Sequence, residues 1–213
     1  MYSFSKKVFF ANRVFCVNDN VYEPAEDSFL FAENLKVRDG DRVVDLGTGC
    51  GILGILAAEK ATEVFAIDIN PWAVQCAKEN ARLMHVAEKM FFMQGDLFAP
   101  IREGEEFDLI LFNAPYLPSE EGEGSLWLER AWTGGVSGRK TIDDFIRESP
   151  RHLRPNGEIL LMQSTLSDVE ETLRGFEKRG LRVDVVARQD LPFFETIFLL
   201  KARLENRKKA LGL

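Results

Sequence analysis

Apolar residues recur along this chain in short blocks that stop at a polar or turn-forming position. Val43-Val44 ends on Asp45, and Val64 to Ile67 ends on Asp68. Met90 to Met93 leads into Gly95-Asp96-Leu97, Phe107 to Phe112 runs into Asn113, and Glu158 to Gln163 follows a Pro155-Asn156-Gly157 turn. Blocks of this length, flanked by turn residues, read as strands covered on both faces. Between them lie stretches of helical period: Ile52 to Glu59, Trp72 to Met84, Thr141 to Leu153 and Ser167 to Arg179. In the second of these, Ala73, Ala77, Ala81 and Met84 share one face. Asn70-Pro71 ahead of it supplies an N-cap and a proline for the first helical position. Leu181 to Ala187 and Thr196 to Ala202 leave little room for a helix between them, so they read as an antiparallel pair at a sheet edge. Alternating strands and helices predict an α/β fold: a Rossmann-like, seven-stranded, mostly parallel sheet with helices on both faces and an antiparallel C-terminal strand.

The stretch Arg42 to Asn70 organises the rest. It reads as strand, acid, glycine loop (Gly47, Gly49, Gly51), helix, strand and acid, the layout of a nucleotide-binding βαβ unit. Upstream, Lys7 to Val17 is expected to form a short hairpin turning at Ala11-Asn12-Arg13. Pro24 suits the first turn of a helix, and Glu26 and Asp27 sit where its dipole favours negative charge. Phe29, Leu30 and Leu35 give that helix an apolar face, and Ser28 is positioned to offer a hydroxyl if the segment closes over a ligand.

Bulk composition narrows the classes. The 213 residues suit one domain, with residues 1–20 as a small N-terminal hairpin and 204–213 as a mildly basic tail. Lys and Arg number 27 against 34 Asp and Glu, a net charge of −7 that disfavours binding to a phosphate backbone. Cys16, Cys50 and Cys76 form no metal-ligand spacing, so no metal is expected, and scattered thiols suit a reducing, cytoplasmic compartment. The longest uncharged apolar stretch, Leu46 to Ala58, has 13 residues, below the ~18 that a membrane span requires.

Gly49-x-Gly51-x-x-Gly54 with Asp68 further on also matches a dinucleotide fingerprint, which makes a dehydrogenase one reading. Three features pull away from it. Asp45 immediately before the glycine loop repels a pyrophosphate but suits an ammonium group. Asp96 ends the third strand, where a carboxylate can accept from an adenine amino group. The fourth strand runs straight into Asn113-Ala114-Pro115-Tyr116. A cationic, phosphate-free adenosine ligand satisfies all three, and S-adenosylmethionine is such a ligand. Methyl transfer from a sulfonium needs a nucleophile held in line more than it needs acid or base. For a poorly nucleophilic amide or exocyclic amino nitrogen, acceptors for both N–H groups favour the developing charge. The Asn113 side-chain oxygen and the Ala114 carbonyl can form that pair. Pro115 biases Ala114 towards an extended backbone, and Tyr116 offers a flat face to a planar group.

These residues resemble the HemK-type class I methyltransferases, closest to their archaeal and eukaryotic release-factor glutamine methyltransferase branch. The resemblance rests on VYEPAEDSF (21–29), DLGTGCG (45–51), DINPWA (68–73), GDL (95–97), NAPY (113–116) and RAWTGGVSGR (130–139). It implies S-adenosylmethionine as methyl donor, S-adenosylhomocysteine as product, and N5-methylation of the glutamine in the Gly-Gly-Gln loop of a class-1 translation release factor. It further implies that Asp45 and Gly47 line the methionine end of the cofactor beside Gly49, that Asp68 binds ribose, and that Asp96 and Leu97 hold adenine. Ser28 would face the amino-acid end, and Asn113 would touch both cofactor and substrate. Ala114 departs from the family, which has proline there. Adenine-N6 methylation of DNA or RNA is the rival activity, protein lysine methylation is another, and a non-catalytic binding scaffold is the remaining alternative. The glutamates between Ser119 and Glu129 suit a basic peptide better than a nucleic acid. Trp127 and Trp132 are read as packing under the 119–129 loop, with contact to substrate as the alternative, and His85 and His152 are expected to lie on helix surfaces. Met90 to Met93, apolar on both faces at a sheet edge, implies a covering partner. The resemblance implies a small zinc-binding activator subunit there.

Overall fold

The structure, a computed structural model, describes residues 4–117, Trp127 and 137–204. Most of the Ser119–Glu129 stretch, Trp132, most of the 130–139 segment and the basic tail lie outside the described residues. A two-stranded hairpin, β1 (Lys6–Phe10) and β2 (Arg13–Val17), comes first, with Ala11 and Asn12 both at positive φ as a two-residue hairpin turn requires. Helix α1 (Glu26–Asn34) follows, then β3 (Arg42–Leu46), α2 (Ile52–Ala58), β4 (Glu63–Asp68), α3 (Pro71–Leu83), β5 (Met90–Gln94) and β6 (Phe107–Asn113). The second half comprises α4 (Lys140–Glu148), β7 (Leu153–Ser164), α5 (Val169–Glu177), β8 (Leu181–Asp190) and β9 (Thr196–Leu204).

Strands β3 to β9 form one sheet in the order β5-β4-β3-β6-β7-β9-β8. Strands β3 to β7 pair in parallel, and β9 runs antiparallel to both β7 and β8. The expected fold is therefore present, with β9 as the reversed strand. The period-2 pattern divides the core into two layers. Val43, Leu109, Leu111, Leu160 and Met162 face α2, α3 and the hairpin. Val44, Leu46, Ile110, Phe112, Ile159 and Leu161 face α4 and α5, where Phe145 and Phe176 pack edge to face with centroids 6.4 Å apart.

Three local differences have physical causes. Pro24 lies outside α1, whose N-cap is Ala25. The fourth helix stops at Glu148 and continues through Ser149–His152 as a 3-10 turn, because Pro150 has no N–H to continue the α pattern. Strand β7 begins at Leu153 and absorbs Pro155-Asn156-Gly157 as an irregularity, so Phe107 pairs with Leu153 while Leu109 pairs with Glu158. The histidines also differ from expectation. His85 follows the end of α3 at φ 58, and the His152 ring stacks on Phe98 at 4.4 Å.

One buried side chain ties the hairpin to the sheet. The Asn80 amide on α3 accepts from Cys16 N at 2.9 Å and donates to the carbonyls of Cys16 and Cys50, both at 2.8 Å. It thus joins β2, α3 and the glycine loop. Several large apolar side chains face solvent, among them Phe9 on β1 and Val185 on β8. Phe91 on the outermost strand β5 is half exposed, and Phe193 and Phe194 at the β8–β9 turn are fully exposed.

Candidate active site

Parallel strands end together, so the residues after β3, β4, β5 and β6 converge at one end of the sheet. They enclose a cavity of about 210 Å³ whose wall includes Ser28, Gly47, Gly49, Asp68, Asp96, Leu97, Asn113, Ala114, Pro115 and Tyr116. All the site residues expected from the sequence meet here except Asp45. Trp127 is half-buried and also lines the wall.

Asp45 turns away from the cavity. It is 1% exposed, and its Oδ2 accepts from the Thr48 hydroxyl at 2.6 Å and from Gly54 N at 2.9 Å. The N–H at the start of α2 and the loop hydroxyl compete for this carboxylate and take it. Burial raises its pKa to about 7, against the lowering effect of those two hydrogen bonds. This contact also explains Gly54: a Cβ there would sit 2.9 Å from Asp45 Oδ2. The third glycine of the loop thus fits the carboxylate below it, with no need for a pyrophosphate above. Gly51, at φ +90, meets the Ala77 backbone so closely that a Cβ would lie 3.0 Å from its Cα.

Asp68 stands at the end of β4. Its Oδ2 accepts from Gly49 N and its Oδ1 from Asn70 N, each at 2.9 Å. These bonds fix both oxygens at the cavity edge while each keeps a further lone pair. Burial raises the Asp68 pKa to about 6, opposed by the two backbone donors. Asn70 caps α3 by accepting from Trp72 N at 3.0 Å. After β5, Leu97 is held at φ 44, and Gly95 has no room for a side chain, since a Cβ would fall 2.3 Å from Pro100.

The most informative group is one the sequence reading treated only as a helix-dipole acid. Asp27 is buried, and its Oδ1 accepts from Ser28 N at 2.5 Å and from the Ser28 and Tyr22 hydroxyls at 3.1 Å. Its Oδ2 accepts from Asn113 Nδ2 at 3.2 Å and from the Tyr116 hydroxyl at 3.4 Å. Ser28 Oγ is also an acceptor for Asn113 Nδ2, at 3.3 Å. Burial, followed by the Asp27 charge, pushes both tyrosine hydroxyls well above their usual pKa, so they stay protonated and donate. A carboxylate only accepts, so the Asn113 amide must turn its NH2 towards Asp27. Asn113 Oδ1 is then left buried with no hydrogen-bond partner among the described residues. The signal for Asp27 was present in the sequence. It lies four residues before Phe31, on the same helical face as that fully buried ring.

Ala114 is buried, and its N–H donates to the Met162 carbonyl at 3.3 Å. A proline there could not make this bond. The described wall holds three carboxylates, Asp27, Asp68 and Asp96, and no Lys, Arg or His. That donor set suits a cationic ligand rich in hydroxyl and amino donors and opposes a pyrophosphate, which removes the dinucleotide reading. The unpartnered acceptor at Asn113 Oδ1 lies beside it, where an N–H donor is needed.

A family model described as the methyltransferase small domain matches residues 12–129. The putative protein N5-glutamine methyltransferase of Methanocaldococcus jannaschii is 40% identical over 190 residues, covering 88% of this chain and 94% of that protein. Methyltransferase HEMK2 of Mus musculus is 32% identical over 175 residues, covering 76% of this chain and 80% of that protein. Among solved structures, the Mtq2-Trm112 complex of E. cuniculi, described as responsible for methylating the eRF1 translation termination factor, superimposes with a TM-score of 0.65 at 22% identity. That match covers 87% of this chain and 99% of the matched one. On the family model and these relatives, the chain belongs to the methyltransferase small domain family and, within it, to the HemK-type group.

Proposed function

We propose that this chain methylates the N5 nitrogen of the glutamine in the Gly-Gly-Gln loop of a class-1 translation release factor, with S-adenosylmethionine as donor. The observation that supports it is the asparagine at the cavity: Asn113 Nδ2 is held by Asp27 and Ser28, and its Oδ1 is buried without a partner among the described residues. A primary carboxamide brings two N–H groups. Asn113 Oδ1 accepts one and the Ala114 carbonyl the other, which orients the nitrogen and favours the positive charge that develops on it. Tyr116 packs against the planar amide, its hydroxyl anchored on Asp27. The nitrogen gains a C–N bond, keeps one proton and releases the other.

When bound, S-adenosylmethionine supplies an electrophilic methyl group and leaves as the neutral thioether S-adenosylhomocysteine. Asp68 would hold its ribose hydroxyls, Asp96 and Leu97 its adenine, and the backbone of Gly47 and Gly49 its methionine end, with Ser28 and Asn113 nearby. Asp45 acts one step removed, by fixing the glycine loop. Because the Asp45 carboxylate is turned to Thr48 and Gly54, it is assigned no direct contact with the cofactor.

The chain acts as one domain in the cytoplasm, where its substrate works. A small zinc-binding activator subunit covers strand β5, whose outer edge is unpaired among the described residues and carries the half-exposed Phe91. No described helix is long and apolar enough to cross a membrane.

The test is methyl transfer from labelled S-adenosylmethionine, with a candidate activator present. The acceptors offered are a release factor, its Gln→Ala variant, a lysine-bearing peptide, and single-stranded DNA and RNA. Label on the wild-type factor alone is the expected result. Label on nucleic acid or lysine would replace the reading, and cofactor binding with no transfer to any acceptor would leave only a scaffold.

A further inference from the structure

The most exposed large apolar side chains among the described residues lie at the turn between β8 and β9. Phe193 and Phe194 are 96% and 104% exposed. They are not on a loose loop. Leu191 N donates to the Glu195 carbonyl at 2.8 Å and closes the turn, and Leu191 packs against the same core layer as Phe29, Leu30 and Tyr116 do. On the other side, Thr196 N donates to Thr165 Oγ1 at 3.1 Å and Thr196 Oγ1 to Asp190 Oδ1 at 2.8 Å. Both phenylalanines have φ 63, the left-handed region that bulky side chains avoid. The turn thus holds two rings in solvent at a fixed place.

That place is the active-site end of the sheet. Asn113 pairs with Met162 on β7, and Met162 pairs with Leu199 on β9. From Leu199, β9 runs back towards Glu195, past the level where β6 ends. The turn therefore stands about 10 Å across and about 13 Å beyond Asn113, within the span of a few extended residues of substrate. Glu195 is near enough to the Tyr116 hydroxyl for its charge to act on that group. Leu166, half exposed, follows Thr165 on the same rim.

We infer that Phe193 and Phe194 are a docking tip for the protein substrate, binding an apolar and basic segment that flanks the methyl-accepting residue. This deepens the proposed function and rests on it. The charge pattern selects the occupant: Asp190 and Glu195 flank the tip, three carboxylates line the adjoining cavity, and the chain carries −7. Phosphate backbones and anionic membrane surfaces are repelled by that field, whereas a basic peptide is attracted. Two fully exposed rings offer large apolar area beside it. Specificity for the substrate protein then comes from contacts outside the cavity, and the cavity itself recognises only the amide.

The experiment compares the full chain, with its activator subunit, against the double variant Phe193→Asn/Phe194→Asn. Asparagine tolerates a positive φ, so the turn is preserved. Two readouts are taken: methyl-transfer kinetics on an intact release factor, and direct binding of that factor. Expected is a rise of at least about tenfold in KM and in Kd for the factor, with kcat, cofactor affinity and thermal midpoint unchanged. A KM and Kd within twofold of wild type would overturn the inference. So would unchanged values combined with loss of self-association, of binding to phosphatidylcholine vesicles, or of binding to single-stranded RNA. A wild-type chain that binds the factor through this tip but does not methylate it would sink the proposed reaction and leave the docking surface standing. Glutamine methylation indifferent to the double variant would do the reverse.

Discussion

Replacing Asp27 with asparagine changes one oxygen of a buried carboxylate into an NH2 group and tests the logic of the site. Which oxygen changes is set by the neighbours. Oδ1 faces the Ser28 backbone N–H at 2.5 Å, a donor that cannot rotate, so the new amide keeps its carbonyl there. The new NH2 must then occupy the Oδ2 position, where it meets Asn113 Nδ2 at 3.2 Å and the Tyr116 hydroxyl at 3.4 Å. The hydroxyl can rotate to accept, whereas two NH2 groups cannot bond each other. The cheapest relief is a flip of the Asn113 amide. Its oxygen then accepts from position 27 and its NH2 points towards the substrate, so a donor replaces the acceptor that a carboxamide nitrogen requires. Losing one positioned acceptor at a reacting group costs about 10²–10³ in kcat. Stability barely changes, because the substitution also removes a buried charge with no cationic partner among its described hydrogen bonds. The thermal midpoint is expected to move by no more than about 3 °C. The assay is steady-state methyl transfer to a release factor, with cofactor affinity measured separately by calorimetry. Asn113→Ala should lower kcat by a similar factor, and the double variant should be no slower than either single variant, since both act on one acceptor. An Asp27→Asn enzyme with kcat within about threefold of wild type would refute the reasoning, and so would a strictly multiplicative double variant.

Other outcomes follow from the same geometry. Asn80→Ala leaves Cys16 N and the carbonyls of Cys16 and Cys50 without their side-chain partner. It should cost about 2 kcal/mol or more, read as a fall in the urea midpoint with loss of protection in the hairpin amides. Asp45 and Asp68 have pKa values raised by burial to about 7 and about 6 from 3.8. Between those values the native state holds protons that the unfolded chain has released, so their contribution to the free protein's stability is full at low pH and is lost as pH rises through 7. Asp45→Asn should flatten the fall in thermal midpoint between pH 4 and 7, measured by scanning calorimetry at several pH values; an unchanged slope would contradict the burial argument. Ala114→Pro removes the 3.3 Å bond to Met162 but restricts the backbone of Asn113. Turnover on the release factor should stay within about threefold of wild type, because neither acceptor is removed.

The apolar blocks were enough to place the strands, since a parallel sheet covered on both faces requires unbroken apolar runs and each run here has a clear stop. The Asn70-Pro71 cap and the antiparallel final pair were legible from residues a few positions away, whereas the edge position of Met90–Met93 came only from the usual strand order of the fold the chain resembles. The convergence of Asp68, Asp96 and Asn113 was legible too, because parallel strands deliver their ends to one rim. Helix ends were less so, and Ser149–His152 shows why: a proline one turn on decides between α and 3-10 geometry.

Strand positions and the chemistry offered at strand ends belong to the chain's local pattern. The direction in which each acid points does not. Asp45 and Asp68 stand on adjacent strands, with Asp45 level with Ala66 and so two residues deeper in the sheet than Asp68. Asp45 is taken by the Thr48 hydroxyl and Gly54 N–H, while Asp68, at the strand end, stays on the cavity wall. Asp27 bonds Asn113 across 86 positions of sequence, and no spacing rule reaches that far. Such pairings are settled by competition among donors that meet only once the sheet is closed, because a buried carboxylate must satisfy its lone pairs with whichever N–H and O–H groups packing brings within 3 Å or so.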